Sequence, residues 1–193
     1  NIINKIGIKE RRISSPTEFS NDLAINAARK MLKNIKKDKI DFLIYCTNTP
    51  DYLLPSNSCL IHKKLKLKKN AGAFDIILAC SGYVYSLSVA KSLVNSGMAS
   101  TVLLITADTY SKFISYKESK NRILFGDGSS STIISKKNAR GSYEILNFLY
   151  GTDGTGYNKA IIKNFGNKHK LSKSKKDNNL FLDGPGLYNF ALN

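Results

Sequence analysis

The sequence predicts an α/β protein with a mainly parallel β-sheet flanked by helices. Two observations predict it. Short runs at 41–47 (DFLIYCT), 73–78 (AFDIIL) and 101–107 (TVLLITA) are apolar on both faces, as strands covered from both sides must be. Between them lie segments whose apolar residues recur at helical spacing, so each run leads into a crossover.

The first helix is expected to start at Ser20, a side chain suited to an N-cap. It carries Leu23, Ala27, Met31 and Ile35 at turn spacing. Strand 41–47 follows. Pro55 and Ser56 open a second helix bearing Cys59, Leu60 and Leu65. Strand 73–78 leads into a helix over 81–95, with Val84, Leu87, Ala90 and Val94 on one side and Gly97 as the stop. After strand 101–107, two further strands are expected at 131–135 and 143–149, joined by the polar turn Lys136-Lys137-Asn138. Residues 166–179 are Lys-rich and read as an exposed basic loop. Residues 1–8 read as the middle of something longer, and the chain stops at Leu192-Asn193 as a helix begins. No internal repeat is visible.

With 193 residues, 42% of them apolar, one domain over 1–193 can bury a core, and wholesale disorder is excluded. No apolar run reaches the length of about eighteen residues that a membrane span needs, so no membrane partner is expected. The chain opens on Asn1 without a charged-then-apolar leader, so no secretory signal is expected. Cys46, Cys59 and Cys80 are an odd number without metal-ligand spacing. That points to a reducing cytoplasm, with neither a disulfide framework nor a metal site. The net charge of +16 attracts acidic partners such as a carrier protein, CoA phosphates or nucleic acid. The lysines are spread along the chain without an interleaved aromatic stripe, as A+T-rich coding would also produce. Each run therefore reads first as a solvated face.

Chemistry concentrates in Ala73-Phe74-Asp75-Ile76-Ile77-Leu78-Ala79-Cys80-Ser81-Gly82. A strand ends, the chain turns, and Cys80 stands where the next helix starts. Free N–H groups and the positive end of a helix favour an anion, so a thiol there is disposed to act as a thiolate nucleophile. Ala79, Ser81 and Gly82 are small enough for a tight turn and close substrate approach. The arrangement is like the strand-turn-helix elbow of serine hydrolases, with sulfur for oxygen. On position alone, a small buried cysteine is the favoured reading. Cys46, inside a strand, and Cys59, beside Leu60, read as packing residues.

Ala79-Cys80-Ser81-Gly82-Tyr83, after Ala73-Phe74-Asp75 and before Tyr85-Ser86-Leu87, resembles the nucleophile segment of ketoacyl synthase III enzymes in the thiolase superfamily. Four collinear segments strengthen the resemblance. They are Gly7-Ile8-Lys9-Glu10-Arg11-Arg12, Thr49-Pro50-Asp51-Tyr52 with Pro55-Ser56, Phe125-Gly126-Asp127-Gly128, and Asp183-Gly184-Pro185 with Phe190-Ala191. The resemblance implies the amino-terminal half of a layered αβαβα fold. It implies that Cys80 takes an acyl group from acyl-CoA or an acyl-carrier thioester. Decarboxylation of a malonyl group on acyl carrier protein then supplies the carbanion that forms the carbon–carbon bond. The backbone N–H of Cys80 would be an oxyanion donor, and Leu54 a residue limiting acyl length. A homodimer that extends one sheet across the subunit boundary is implied, and no permanently bound cofactor. The family's catalytic His and Asn come from the second half of the enzyme. His62 and His169 lie outside the family's motifs and read as surface residues. Ser119 stands about where an Arg often contacts the CoA nucleotide, a departure that favours a carrier-linked donor.

Two other motifs read as structural. Gly151-Thr152-Asp153-Gly154-Thr155-Gly156 lacks dinucleotide-loop spacing and reads as a turn after strand 145–149. Asp127, flanked by glycines, reads as organising its own turn. The rivals to a fatty-acid condensing enzyme are a related acyltransferase of secondary-metabolite or surface-polysaccharide synthesis and, from another class, a basic nucleic-acid-binding module. Nucleic acid is not the expected partner; a reactive Cys80 separates the enzyme from that module.

Overall fold

The computed structural model describes residues 2–136, 141–166 and 178–192. In chain order the helices are α1 (Ile2–Ile6), α2 (Ser20–Met31), α3 (Asn57–Leu65), α4 (Gly82–Asn95), α5 (Ser119–Arg122) and α6 (Gly184–Leu192). The strands are β1 (Phe42–Cys46), β2 (Gly72–Ile76), β3 (Thr101–Asp108), β4 (Gly128–Ser135), β5 (Ala160–Ile161) and β6 (Phe181–Leu182). The residues gather into two compact units. One comprises 14–109 and 127–148, the other 1–13, 110–126 and 149–193.

In the first unit the sheet runs β2-β1-β3-β4, with β1 parallel to β2 and β3, and β4 antiparallel to β3. The period-two alternation of strand side chains divides the core into two layers. Leu43, Tyr45, Leu103 and Ile105 point to one face, where they meet Ala24, Ala28, Ile61 and Leu65 of α2 and α3. Ile44, Cys46, Val102 and Leu104 point to the other, against Ala90 and Val94 of α4. Each fully buried Leu or Ile contributes roughly 1.5–3 kcal/mol. The central strands β1 and β3 are covered from both sides, as their apolar runs require, while β2 at the edge is half-buried throughout. No helix among the described residues is long and apolar enough to cross a membrane.

Both helix starts differ in detail from expectation. Ser20 does not cap α2. Its buried hydroxyl bonds to Thr49 and Thr109, while Asp22 reaches back to the Phe19 N–H at 3.0 Å and closes the helix start. At α3, Ser56 makes no side-chain cap. Asp75 of β2 does that work, accepting the N–H groups of Asn57 at 2.6 Å and Ser58 at 2.7 Å. A carboxylate at a helix start satisfies free donors and meets the positive end of the dipole. Gly97, with φ +80°, ends α4 as its position predicts.

The strand expected at 143–149 is absent: these residues are irregular. Lys91 of α4 donates to the carbonyls of Ile145 and Leu146, occupying acceptors that a neighbouring strand would use. Tyr143 and Leu149 stand 95% and 97% exposed, without the covering a strand face needs. The expected turn at 136–138 and the basic loop at 166–179 fall largely outside the described residues.

The second unit is assembled from separated segments. Phe113 packs edge-on against Phe165 with ring centroids 5.3 Å apart, and the Leu180 N–H bonds to the Phe113 carbonyl at 2.7 Å. The short antiparallel pair β5–β6, too brief to show in the sequence pattern, precedes α6. Asp183 serves that helix start, accepting the Gly186 N–H at 3.0 Å.

Candidate active site

β2 ends at Ile76, residues 77–81 turn, and α4 begins at Gly82. Cys80 lies in this turn, two residues ahead of the helix, and is exposed. The turn is closed by the Gly82 N–H on the Ala79 carbonyl at 2.9 Å, and the Tyr85 N–H returns to Ser81 at 3.1 Å. Among the described residues the Cys80 N–H has no hydrogen-bond partner. Ile77 and Leu78, 61% and 36% exposed, precede it, and Tyr83 and Val84, 40% and 46% exposed, follow. The sulfur is thus accessible and set in apolar surroundings.

Gly82 fixes how closely the turn sits on the sheet. A Cβ there would stand 2.5 Å from the Cys46 sulfur and 3.0 Å from the Leu78 Cβ. Only a residue without Cβ lets the start of α4 rest on β1. The Cys46 thiol is also 3.6 Å from the Leu78 carbonyl. Burial pushes this thiol above its ordinary value, so Cys46 is a packing residue, as expected.

A hydrogen-bonded layer stands at the same, carboxyl-terminal end of the strands. The Thr47 N–H bonds to the Ile76 carbonyl at 3.1 Å, tying the ends of β1 and β2 together. Asp108, the last residue of β3, accepts from the Asn48 N–H at 2.8 Å, Thr49 Oγ1 at 3.0 Å and Thr47 Oγ1 at 3.2 Å. Desolvation nevertheless raises its carboxyl above the usual range, with those bonds opposing the shift. Asn57 holds the loop before α3: its side chain takes the Tyr52 N–H at 3.1 Å, donates to the Tyr52 carbonyl at 2.8 Å, and meets Asn21 at 3.0 Å. Leu54 stands at the tip of that loop, 87% exposed.

Other expectations need correction. Cys59 is exposed on α3, because its position turns away from the face that buries Ile61 and Leu65. His62 is not a free surface residue: it is half-buried, and its Nε2 lies 3.0 Å from the Lys68 carbonyl, holding the turn after α3. That turn is at the opposite end of the strands from Cys80. His169 lies outside the described residues. Asp127 is structural by a longer reach than expected, accepting the backbone N–H and hydroxyl of Ser14 at 2.8 and 2.7 Å. Arg11 bonds to the Phe125 carbonyl at 3.1 Å, so the segments around Arg11 and Phe125 meet. Ser119 opens α5, whose N-cap is Glu118, bonding the Lys120 N–H at 3.0 Å. Residues 154–156 do turn, with Asp153 accepting the Thr155 N–H at 2.9 Å, but the strand they were expected to follow is absent. The helix-capping part of Asp75 was missed. A lone carboxylate within an apolar strand was its signal.

Comparison with known proteins gives consistent matches. The family profile "3-Oxoacyl-[acyl-carrier-protein (ACP)] synthase III" matches residues 74–154. A beta-ketoacyl-[acyl-carrier-protein] synthase III of Caldanaerobacter subterraneus is 36% identical over 196 residues, covering 99% of this chain and 58% of the relative. That of Chlamydia caviae is 42% identical over 156 residues, covering 80% and 46%. A crystal structure of a 3-oxoacyl-(acyl-carrier-protein) synthase III superposes with a TM-score of 0.89 at 40% identity, over 99% of this chain and 60% of the other. The priming beta-ketosynthase of the R1128 polyketide pathway gives 0.82 at 25% identity, over 98% and 56%. The chain spans less than two thirds of the length of each.

Proposed function

Because the chain belongs to the 3-oxoacyl-[acyl-carrier-protein] synthase III family of the thiolase superfamily, we propose that Cys80 is the acyl-accepting nucleophile of a decarboxylating condensing enzyme. The observation that carries this proposal is an exposed thiol on the turn between β2 and α4, at the amino-terminal end of a fourteen-residue helix. The Cys80 sulfur adds to the carbonyl of an acyl thioester and the donor thiol leaves. A malonyl group on acyl carrier protein loses carbon dioxide, and its carbanion attacks the acyl carbonyl. The Cys80 thiolate departs as the 3-oxoacyl product forms. The unpartnered Cys80 N–H is one donor to the developing oxyanion. A His and an Asn from outside residues 1–193 assist decarboxylation, and Leu54 limits acyl length. The thioester is a substrate, not a resident cofactor.

Residues 1–193 form the thiolase-like amino-terminal part of a cytoplasmic homodimer. β2 stands at one edge of its sheet, where a partner's strand could extend it. The likeness to the R1128 priming ketosynthase supports a second reading with the same chemistry: initiation of a different acyl chain.

Iodoacetamide mapping tests the nucleophile. Cys59 and Cys80 are both exposed, so exposure alone predicts equal labelling. A nucleophilic Cys80 predicts faster alkylation there near neutral pH, with Cys46 spared. Equal rates at Cys59 and Cys80 would count against the assignment.

A further inference from the structure

The end of the sheet opposite Cys80 concentrates positive charge. α2 and α3 start together at the carboxyl-terminal end of the strands, joined by the Asn21–Asn57 bond at 3.0 Å. They run roughly 18 and 13 Å back along the sheet and finish near the starts of β1 and β2. The segments that follow them meet at Asp41, at the end of the stretch after α2: Lys68, in the turn after α3, bonds to Asp41 Oδ1 at 2.6 Å, and the Ser100 N–H bonds to Oδ2 at 2.7 Å. Segments 29–41 and 62–69, about a ninth of the chain, hold eleven of its 30 Lys and Arg residues and two carboxylates. Asp41 is already satisfied by Lys68 and backbone donors, which leaves Asp38 alone on the surface.

The remaining cations are exposed. Arg29, Lys30, Lys33, Lys36, Lys37 and Lys39 follow one another from the end of α2 to β1. Lys63, Lys64, Lys66 and Lys69 surround the end of α3. Among the described residues none of the ten is ion-paired. Lysine-rich coding spreads charge over a surface, whereas this fold brings two runs, distant in sequence, to one pole. Helix dipoles favour cations only in the last turn, and Lys36, Lys37, Lys39 and Lys69 lie beyond it.

We propose that this pole docks electrostatically on an anionic lipid bilayer. Ten of its eleven cations are lysines, flexible point charges rather than the bidentate forks that recognise individual phosphates. No exposed aromatic ring stands among them to stack on a nucleotide base. Nor do they frame an aromatic anchor of the sort that dominates protein interfaces, and Arg29 is the one arginine among them. A diffuse lysine field matches a diffuse anionic surface, where each cation contributes on the order of 1 kcal/mol. Met98, 65% exposed in the turn between α4 and β3, is an apolar side chain at the same end. Docking here needs no spanning helix and leaves the Cys80 end facing away from the surface.

The test is co-sedimentation of the full-length protein with phosphatidylcholine vesicles containing about a quarter phosphatidylglycerol. Binding is expected at about 0.05 M salt and should be lost at about 0.5 M. K33E, K36E, K63E and K64E together should weaken partitioning at least about tenfold. Replacing the same residues with Gln, which keeps the helices intact, should weaken it less but in the same direction. Lys5, Lys9, Lys117 and Lys120 changed to Glu make an equal change in net charge elsewhere and should retain most of the binding. Equal loss in this control, equal binding to pure phosphatidylcholine, no binding at low salt, or tighter binding to a DNA duplex at the same salt would each overturn the proposal.

Discussion

Gly82 shows how a single missing methyl group can position a thiol two residues away. Its Cα rests against the buried sulfur of Cys46, with no room for a Cβ. Gly82→Ala must lift the start of α4 from β1, and overpacking of this kind costs about 1–3 kcal/mol. We expect a lower urea midpoint together with slower alkylation of Cys80. Cys46→Ala in the same protein should restore much of both, because it removes the nearer of the two atoms that a Cβ would meet, leaving the Leu78 Cβ at 3.0 Å. Failure of the second substitution to rescue would place the defect elsewhere. The sequence made Gly82 legible as a tight-turn residue but left its partner hidden, since strand and helix are brought together only by the crossover. Cys59 misled for the opposite reason: adjacency to Leu60 on a helix does not mean sharing its face.

The strands around the core were legible because burial from both sides leaves continuous apolar runs, and 42–46, 72–76 and 101–108 fall within about a residue or two of expectation. The helix starts were not, because their caps come from afar: Asp75 lies eighteen residues beyond Asn57. The apolar segment 143–149 has strand-like composition, yet Lys91 claims its carbonyls. At the carboxyl-terminal end of β3, burial raises Asp108, so the native state keeps this proton to higher pH than the unfolded chain does. Its contribution is fully present below the unfolded value of about 4 and is lost as pH climbs through the raised native value. Urea midpoints of the natural protein and Asp108→Asn should therefore diverge in favour of Asn as pH rises above about 4. Parallel midpoints would show that Asp108 titrates alike in both states.

Across the molecule, the two ends of the sheet carry different chemistry. The carboxyl-terminal end of the strands bears the exposed thiol, the Asn57 loop and Asp108; the amino-terminal end bears the lysine field. This polarity was invisible as sequence, where both lysine runs read as ordinary solvated faces. The turn that carries Cys80, by contrast, was legible from its neighbours, because a strand, a small-residue turn and a helix follow one another without interruption. The central claim is that this sulfur carries the acyl group. Incubating the full-length protein with an acyl-CoA and with the corresponding acyl-carrier thioester, then mapping peptides by mass spectrometry, tests it directly. An acyl adduct is expected on the peptide containing Cys80 from at least one donor, none on those containing Cys46 or Cys59, and it should disappear in Cys80→Ala. An adduct that persists in Cys80→Ala, or a condensing protein whose Cys80 is never acylated, would contradict it.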